Sequence, residues 1–145
     1  MIALASDHAG YQYKENIKKL LDELSLPYKD FGASSDASTD YPDWGHKASV
    51  AVSKGECDSG ILICGTGIGM SIVANKHKGV RAAVCESVTA ARLARQHNNA
   101  NVLTLGERLT GWEAVVDIVK VFFSTSFQGG RHATRVDKIH TLTNL

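Results

Sequence analysis

Cys64 is followed by Gly65-Thr66-Gly67-Ile68-Gly69, three glycines alternating with two larger residues. The apolar run Gly60–Ile63 before it reads as a short strand buried on both faces. From about Ile68 to Asn75 the pattern turns helical, with Ile68, Ile72 and Val73 on one side. The order is strand, glycine turn, helix, with the thiol at the strand's carboxyl end. In open parallel sheets that end faces the crevice where ligands bind. Glycines let the backbone turn sharply and leave its N–H groups unobstructed. The helix start adds donors without acceptors and the positive end of the peptide dipoles. Such a turn suits an anion, whether a bound phosphate or an oxyanion formed during reaction. It also favours the thiolate of a cysteine placed there. The bland alternative is a small buried hydrophobe, and the three glycines weigh against it for Cys64. Cys57 and Cys85 lack such a turn and read as structural.

Other polar residues follow other apolar runs: Asp7-His8, Cys85-Glu86 and Gly106-Glu107-Arg108. His8 suits either a site or plain solvation, and His97, ahead of Asn98-Asn99, suits either a site or a helix-end dipole partner. His77 reads as a helix-end residue, and His46 and His140 as surface residues. Arg131 and Arg135 are four apart, hence on one helix face beside His132. A forked cationic pair fits a phosphate, although a solvated surface pair is the commoner case. Three familiar motifs fail. A dinucleotide fingerprint needs its third glycine at Met70, whereas Gly69 comes one residue early. A Cys-x5-Arg phosphatase loop needs arginine at Met70, and no Gly-Lys-Ser/Thr completes a Walker loop. No His/Cys spacing fits zinc.

These turns need strands and helices to hold them. Strands are expected at Ile2–Ala5, Tyr28–Phe31, Gly60–Ile63, Val80–Cys85 and Val102–Leu105. Helices are expected over Tyr11–Leu26, from Asp40-Tyr41-Pro42 to about Lys54, from Ile68 to Asn75, and from a Ser87 cap through His97. Two more follow: from a Thr110 cap to about Phe123, and, beyond the Gly129-Gly130 break, Arg131–Leu142. Strictly alternating elements predict an α/β domain with a five-stranded parallel sheet covered on both faces, residues 1–145 forming one unit. The last helix lies outside that repeat and is a candidate for packing on a partner subunit. Sixteen Lys and Arg against fifteen Asp and Glu leave a net charge of +1, which gives no basis for a nucleic-acid partner. Three cysteines without close spacing suit a reducing compartment. No apolar run spans a bilayer and no leader pattern opens the chain, so a cytoplasmic setting and no membrane partner are expected.

Five blocks together resemble the type B ribose-5-phosphate isomerases, whose superfamily also holds galactose-6-phosphate and allose-6-phosphate isomerases. They are Ser6-Asp7-His8-Ala9-Gly10, Thr39-Asp40-Tyr41-Pro42, Gly60–Lys76, Ala94–Asn101, and Gly129-Gly130-Arg131-His132 with Arg135. The resemblance implies a three-layer α/β/α Rossmann-like domain with an extra C-terminal helix. It implies a homodimer or dimer of dimers, with sites at the subunit interface. It implies interconversion of ribose 5-phosphate and ribulose 5-phosphate with no metal or cofactor. Hexose 6-phosphate isomerisation on the same scaffold is the alternative, and a non-catalytic sugar-phosphate or nucleotide binding module a more distant one. By the same resemblance Cys64 is the base, and Gly65, Thr66, Gly67, Ile68 and Gly69 hold the enediolate oxygen. His97, from the partner subunit, is the acid that opens the sugar ring. Asp7 and Asn98 contact sugar hydroxyls, and His8, Arg108, Arg131 and Arg135 clamp the phosphate. A second branch of the family has a glutamate base at the position of Met70, so Met70 places this chain in the cysteine branch.

Overall fold

The computed structural model describes residues 1–145. Five strands, β1 (Ile2–Ser6), β2 (Tyr28–Asp30), β3 (Ser59–Cys64), β4 (Ala82–Val84) and β5 (Val102–Gly106), alternate with five helices. These are α1 (Tyr11–Glu23), α2 (Tyr41–Ser53), α3 (Ile68–Ala74), α4 (Val88–Asn98) and α5 (Trp112–Ser124), and α6 (Arg131–Thr143) follows. A 3-10 turn, His8–Gly10, leads into α1. The sheet is parallel throughout, in the order β2-β1-β3-β5-β4. Side chains of a strand alternate between faces. Leu4, Ile61, Ile63 and Leu105 therefore pack with Ile17 and Leu21 of α1, Ala91 of α4 and Ile118 of α5. Ala3, Ala5, Leu62 and Cys64 face the other way, onto Ala48 of α2 and Met70 and Ala74 of α3. The expected three layers are present.

Several boundaries differ from expectation for local reasons. Helix α1 stops at Glu23: Ser25 takes φ 55 and the Leu26 N–H turns back to the Leu21 carbonyl at 2.9 Å, which closes the helix just ahead of Pro27. Strand β4 is shorter than Val80–Cys85 because the Arg81 carbonyl accepts the N–H groups of Asn101 and Val102 instead of continuing the ladder. Thr110 does not cap α5. Gly111 stands at that position, and the Thr110 hydroxyl is buried without a partner. Ile68 and Ile72 do not face the core: they are 52% and 58% exposed, and Met70 and Ala74 fill the buried side of α3. Helix α6 packs on α4 through its buried His132 and Val136.

The buried stripe of α1 includes a lysine. Lys14 is 1% exposed, and its Nζ donates to Asp30 Oδ2 at 2.6 Å and Glu15 Oε1 at 2.8 Å. Lys18 closes the cluster on Glu15 at 3.0 Å. Burial pushes the Asp30 carboxyl up, but Lys14 and the Gly32 N–H outweigh it and hold the group below its usual range. A depressed carboxyl stabilises the fold above its unfolded value, ~4, and that contribution is lost as pH falls through the folded value. Asp30→Asn leaves Lys14 with Glu15 as its one bonded carboxylate and is expected to cost about 2 kcal/mol at pH 7. The deficit narrows as pH drops below ~4, as measured by urea unfolding at both pH values.

Candidate active site

The order β2-β1-β3-β5-β4 fixes where a crevice forms. From β1 the chain crosses outward to β2; from β3 it crosses the opposite way to β4. Helix α1 covers one face and α3 the other. The turns after β1 and β3 therefore part company at the carboxyl edge, and ligands of open sheets bind at such a switch point. Asp7, His8, Ala9, Tyr41, Cys64, Gly65, Thr66, Gly69 and Arg108 line a cleft there of about 240 Å³.

Cys64 ends β3, is 5% exposed and lines this cleft. The Gly67 N–H donates to its Sγ at 3.1 Å. The Ile68 N–H donates to Thr66 Oγ1 at 3.2 Å, leaving the Thr66 hydroxyl proton free to donate. Two of the five amides expected to face an oxyanion are thus already engaged. Those of Gly65, Thr66 and Gly69 have no acceptor in the protein. Gly67 adopts φ 77, and a Cβ there would lie 2.9 Å from the Leu105 carbonyl carbon. Only glycine lets this turn sit against β5.

Around the thiol, Asp7 is buried and its Oδ1 accepts the Gly10 N–H at 3.0 Å, fixing the entry to α1. His8 Nδ1 pairs with the Thr39 backbone at 3.1 Å. The Arg108 guanidinium lies over Gly65, so close that a Cβ on Gly65 would meet it at 3.2 Å. The Arg108 backbone N–H donates to the Gly65 carbonyl at 3.0 Å. The Tyr41 ring lies on Gly69, where a Cβ would stand 2.8 Å from it. Tyr41 was given no role from sequence. A tyrosine at a helix start beside Pro42 carries no local sign that it lies over a glycine in the first turn of another helix.

The remaining expected residues lie elsewhere. Helix α4 starts at the carboxyl edge and returns to the amino edge before β5, so its last residues, His97 and Asn98, lie at the far end of the sheet. Arg131 and Arg135 are exposed on α6, which packs on α4 at that end. The His97 ring stacks on His132, centroids 4.3 Å apart and planes within 10°. Burial lowers the His132 pKa, reinforced by His97, Arg131 and Arg135. His132 adjoins the predicted arginines and is a second residue without an assigned role. A strand of six residues such as β3 is roughly 20 Å long. Cys64 and His97 of one chain therefore cannot touch the same small molecule. No three His, Cys, Asp or Glu side chains cluster as a metal site.

The ribose/galactose isomerase family matches residues 2–139. The chain belongs to the ribose/galactose isomerase family. It is 45% identical over 138 residues to the ribose-5-phosphate isomerase B of Escherichia coli, covering 95% of this chain and 93% of that one. The ribose-5-phosphate isomerase B structure from Clostridium thermocellum superposes with a TM-score of 0.97 at 50% identity, covering 99% of this chain and 97% of that one. That of Mycoplasma genitalium, with bound ribulose 5-phosphate, gives 0.94 at 43% identity over 99% and 95% of the two chains. The family resemblance and the α/β architecture expected from sequence are both borne out. As a family member this chain is an aldose–ketose isomerase.

Proposed function

We propose that this enzyme interconverts ribose 5-phosphate and ribulose 5-phosphate through an enediolate, with Cys64 as the base. The observation that carries the reading is Cys64, which lines a cleft beside a glycine turn with unpaired amides. The relatives named ribose-5-phosphate isomerase B support the substrate. In the aldose direction the thiolate takes the proton from the carbon next to the carbonyl. Negative charge then develops on oxygen, where the amides of Gly65, Thr66 and Gly69 and the Thr66 hydroxyl can donate. The thiol returns its proton to the neighbouring carbon, and the hydroxyl proton passes to the other oxygen. Proton transfer by a placed group contributes ~10²–10⁴ in rate.

Asp7 contacts sugar hydroxyls, and His8 and Arg108 bind phosphate within the same cleft. His97, Asn98, Arg131 and Arg135 act on the site of a second copy, since both sets cannot serve one site within one chain. His97 there opens the furanose ring, and the arginine pair completes the phosphate clamp. The exposed Ile68 and Ile72 beside the thiol turn support a subunit interface at this edge. The three thiols are unpaired, which supports a reducing, cytoplasmic setting.

The test is a substrate panel in EDTA. Ribose 5-phosphate is expected to give a kcat/KM at least about tenfold above allose 6-phosphate and galactose 6-phosphate. A preference for either hexose phosphate rejects the pentose reading.

A further inference from the structure

Glu107 directly follows β5, and its N–H donates to the Cys64 carbonyl at 3.0 Å. Its carboxylate does not line the cleft. Instead Oε2 accepts the Tyr13 N–H at 3.0 Å, across 94 residues of sequence. Tyr13 lies in the first turn of α1, whose N-cap, Gly10, has no side chain to offer. Glu107 thus supplies from a distant loop the acceptor that a Ser or Asp cap would otherwise provide, and its charge suits the positive helix end. A second arm runs beside it: Tyr13 Oη donates to the Thr110 carbonyl at 2.8 Å. Together the two arms join the start of α1 to the loop carrying Arg108. Asp7 sits just ahead of that start and binds Gly10 N–H. No lysine or arginine pairs with Glu107. Burial raises its carboxyl, the Tyr13 N–H draws it back, and Asp7 raises it again. A carboxylate kept under these costs, on a residue whose backbone N–H is bonded to the end of β3, has work beyond solubility.

We infer that Glu107 is a positioning residue, one that sets Asp7 and Arg108 at working distance from Cys64 by tying α1 to the loop after β5. The inference rests on the proposed ribose 5-phosphate reaction. Without the carboxylate the first turn of α1 and the Arg108 loop drift apart. Displacing groups that hold the substrate, here Asp7 and Arg108, weakens its binding and raises KM more than it changes kcat. A side-chain amide at the same place still accepts the Tyr13 N–H, so Glu107→Gln keeps the tie and loses only the charge.

The experiment compares Glu107→Ala, Glu107→Gln and Tyr13→Phe. For ribose 5-phosphate, Glu107→Ala is expected to raise KM about tenfold with kcat within about threefold, while Glu107→Gln stays within about twofold of wild type. Tyr13→Phe, which cuts only the second arm, is expected to raise KM about threefold and stands in if Glu107→Ala does not fold. A sugar-free readout accompanies the kinetics: iodoacetamide labelling of Cys64, followed by mass spectrometry, is expected to quicken about threefold in Glu107→Ala and not in Glu107→Gln. If wild type leaves ribose 5-phosphate untouched, the substrate reading fails and labelling alone decides the role of Glu107. An alanine variant with wild-type KM and labelling overturns the inference. So does equal loss in the alanine and glutamine variants, and so does an unfolded alanine variant beside a Tyr13→Phe enzyme with wild-type KM and labelling.

Discussion

Cys64→Ala chains and His97→Ala chains, each close to inactive, are expected to regain roughly a quarter of wild-type turnover when unfolded together and refolded as a mixture. Each substitution removes a proton-transfer group, and such groups contribute ~10²–10⁴ in rate. The two residues stand at opposite edges of the sheet, separated by the length of β3. If one chain supplies the thiol and another the imidazole, a mixed dimer has one site with both defects and one with neither. Random pairing makes about half of the dimers mixed, and half of their sites intact. Cys64→Ala leaves the packing of Ala3, Ala5 and Leu62 nearly unchanged, so its melting temperature is expected to stay within a few degrees of wild type. Steady-state turnover of ribose 5-phosphate checks the result, with each variant refolded alone as the reference. A mixture no more active than its components rejects the shared site. A Cys64→Ala enzyme with full activity rejects the thiol as base.

The second large effect is expected at Gly67. Its φ of 77 is strained for any residue with a Cβ, and that atom would press on the Leu105 backbone at 2.9 Å. Neither contact can yield by turning a side chain. Gly67→Ala should therefore lift the turn away from β5, carrying with it the N–H that meets Cys64 Sγ and the free amides of Thr66 and Gly69. A loss of ~10²–10³ in kcat follows, the size seen when one oxyanion donor is removed, together with about 1–3 kcal/mol of stability. Gly79 is the control. It has φ 74, yet a Cβ there meets nothing within 4 Å. Gly79→Ala is expected to lose about 1 kcal/mol by urea unfolding and keep its kcat. Equal kinetic loss in both variants would mean that general destabilisation, and not the thiol turn, governs activity.

The alternation of elements was legible because the central strands are short apolar runs and most helices carry a stripe of their own. Cys64 and its glycines were legible for a related reason: the features that make the turn lie within six residues. What escaped depends on partners far along the chain. Periodicity placed Ile68 and Ile72 on one face of α3 but could not say that Met70 and Ala74 hold the buried one. Lys14 looks like a surface lysine until Asp30, sixteen residues on, is folded against it. The Thr110 cap looked sound by residue type, and failed because its hydroxyl turns inward and Gly111 takes the position. The free amides could be foreseen as a group, but not that the sulfur and Thr66 would claim two of them. Nothing local set the strand order β2-β1-β3-β5-β4, which is what opens the crevice between the turns after β1 and β3.

Both outermost strands, β2 and β4, are three residues long. So short a border offers a neighbouring chain only a rung or two of hydrogen bonds, and β2 adds the charged Lys29 and Asp30. Extending the sheet from one molecule into the next is disfavoured by such edges. For the shared site proposed above, the helices are then the surfaces through which copies would meet, which leaves the ends of the strands, and the residues mounted on them, clear to reach across.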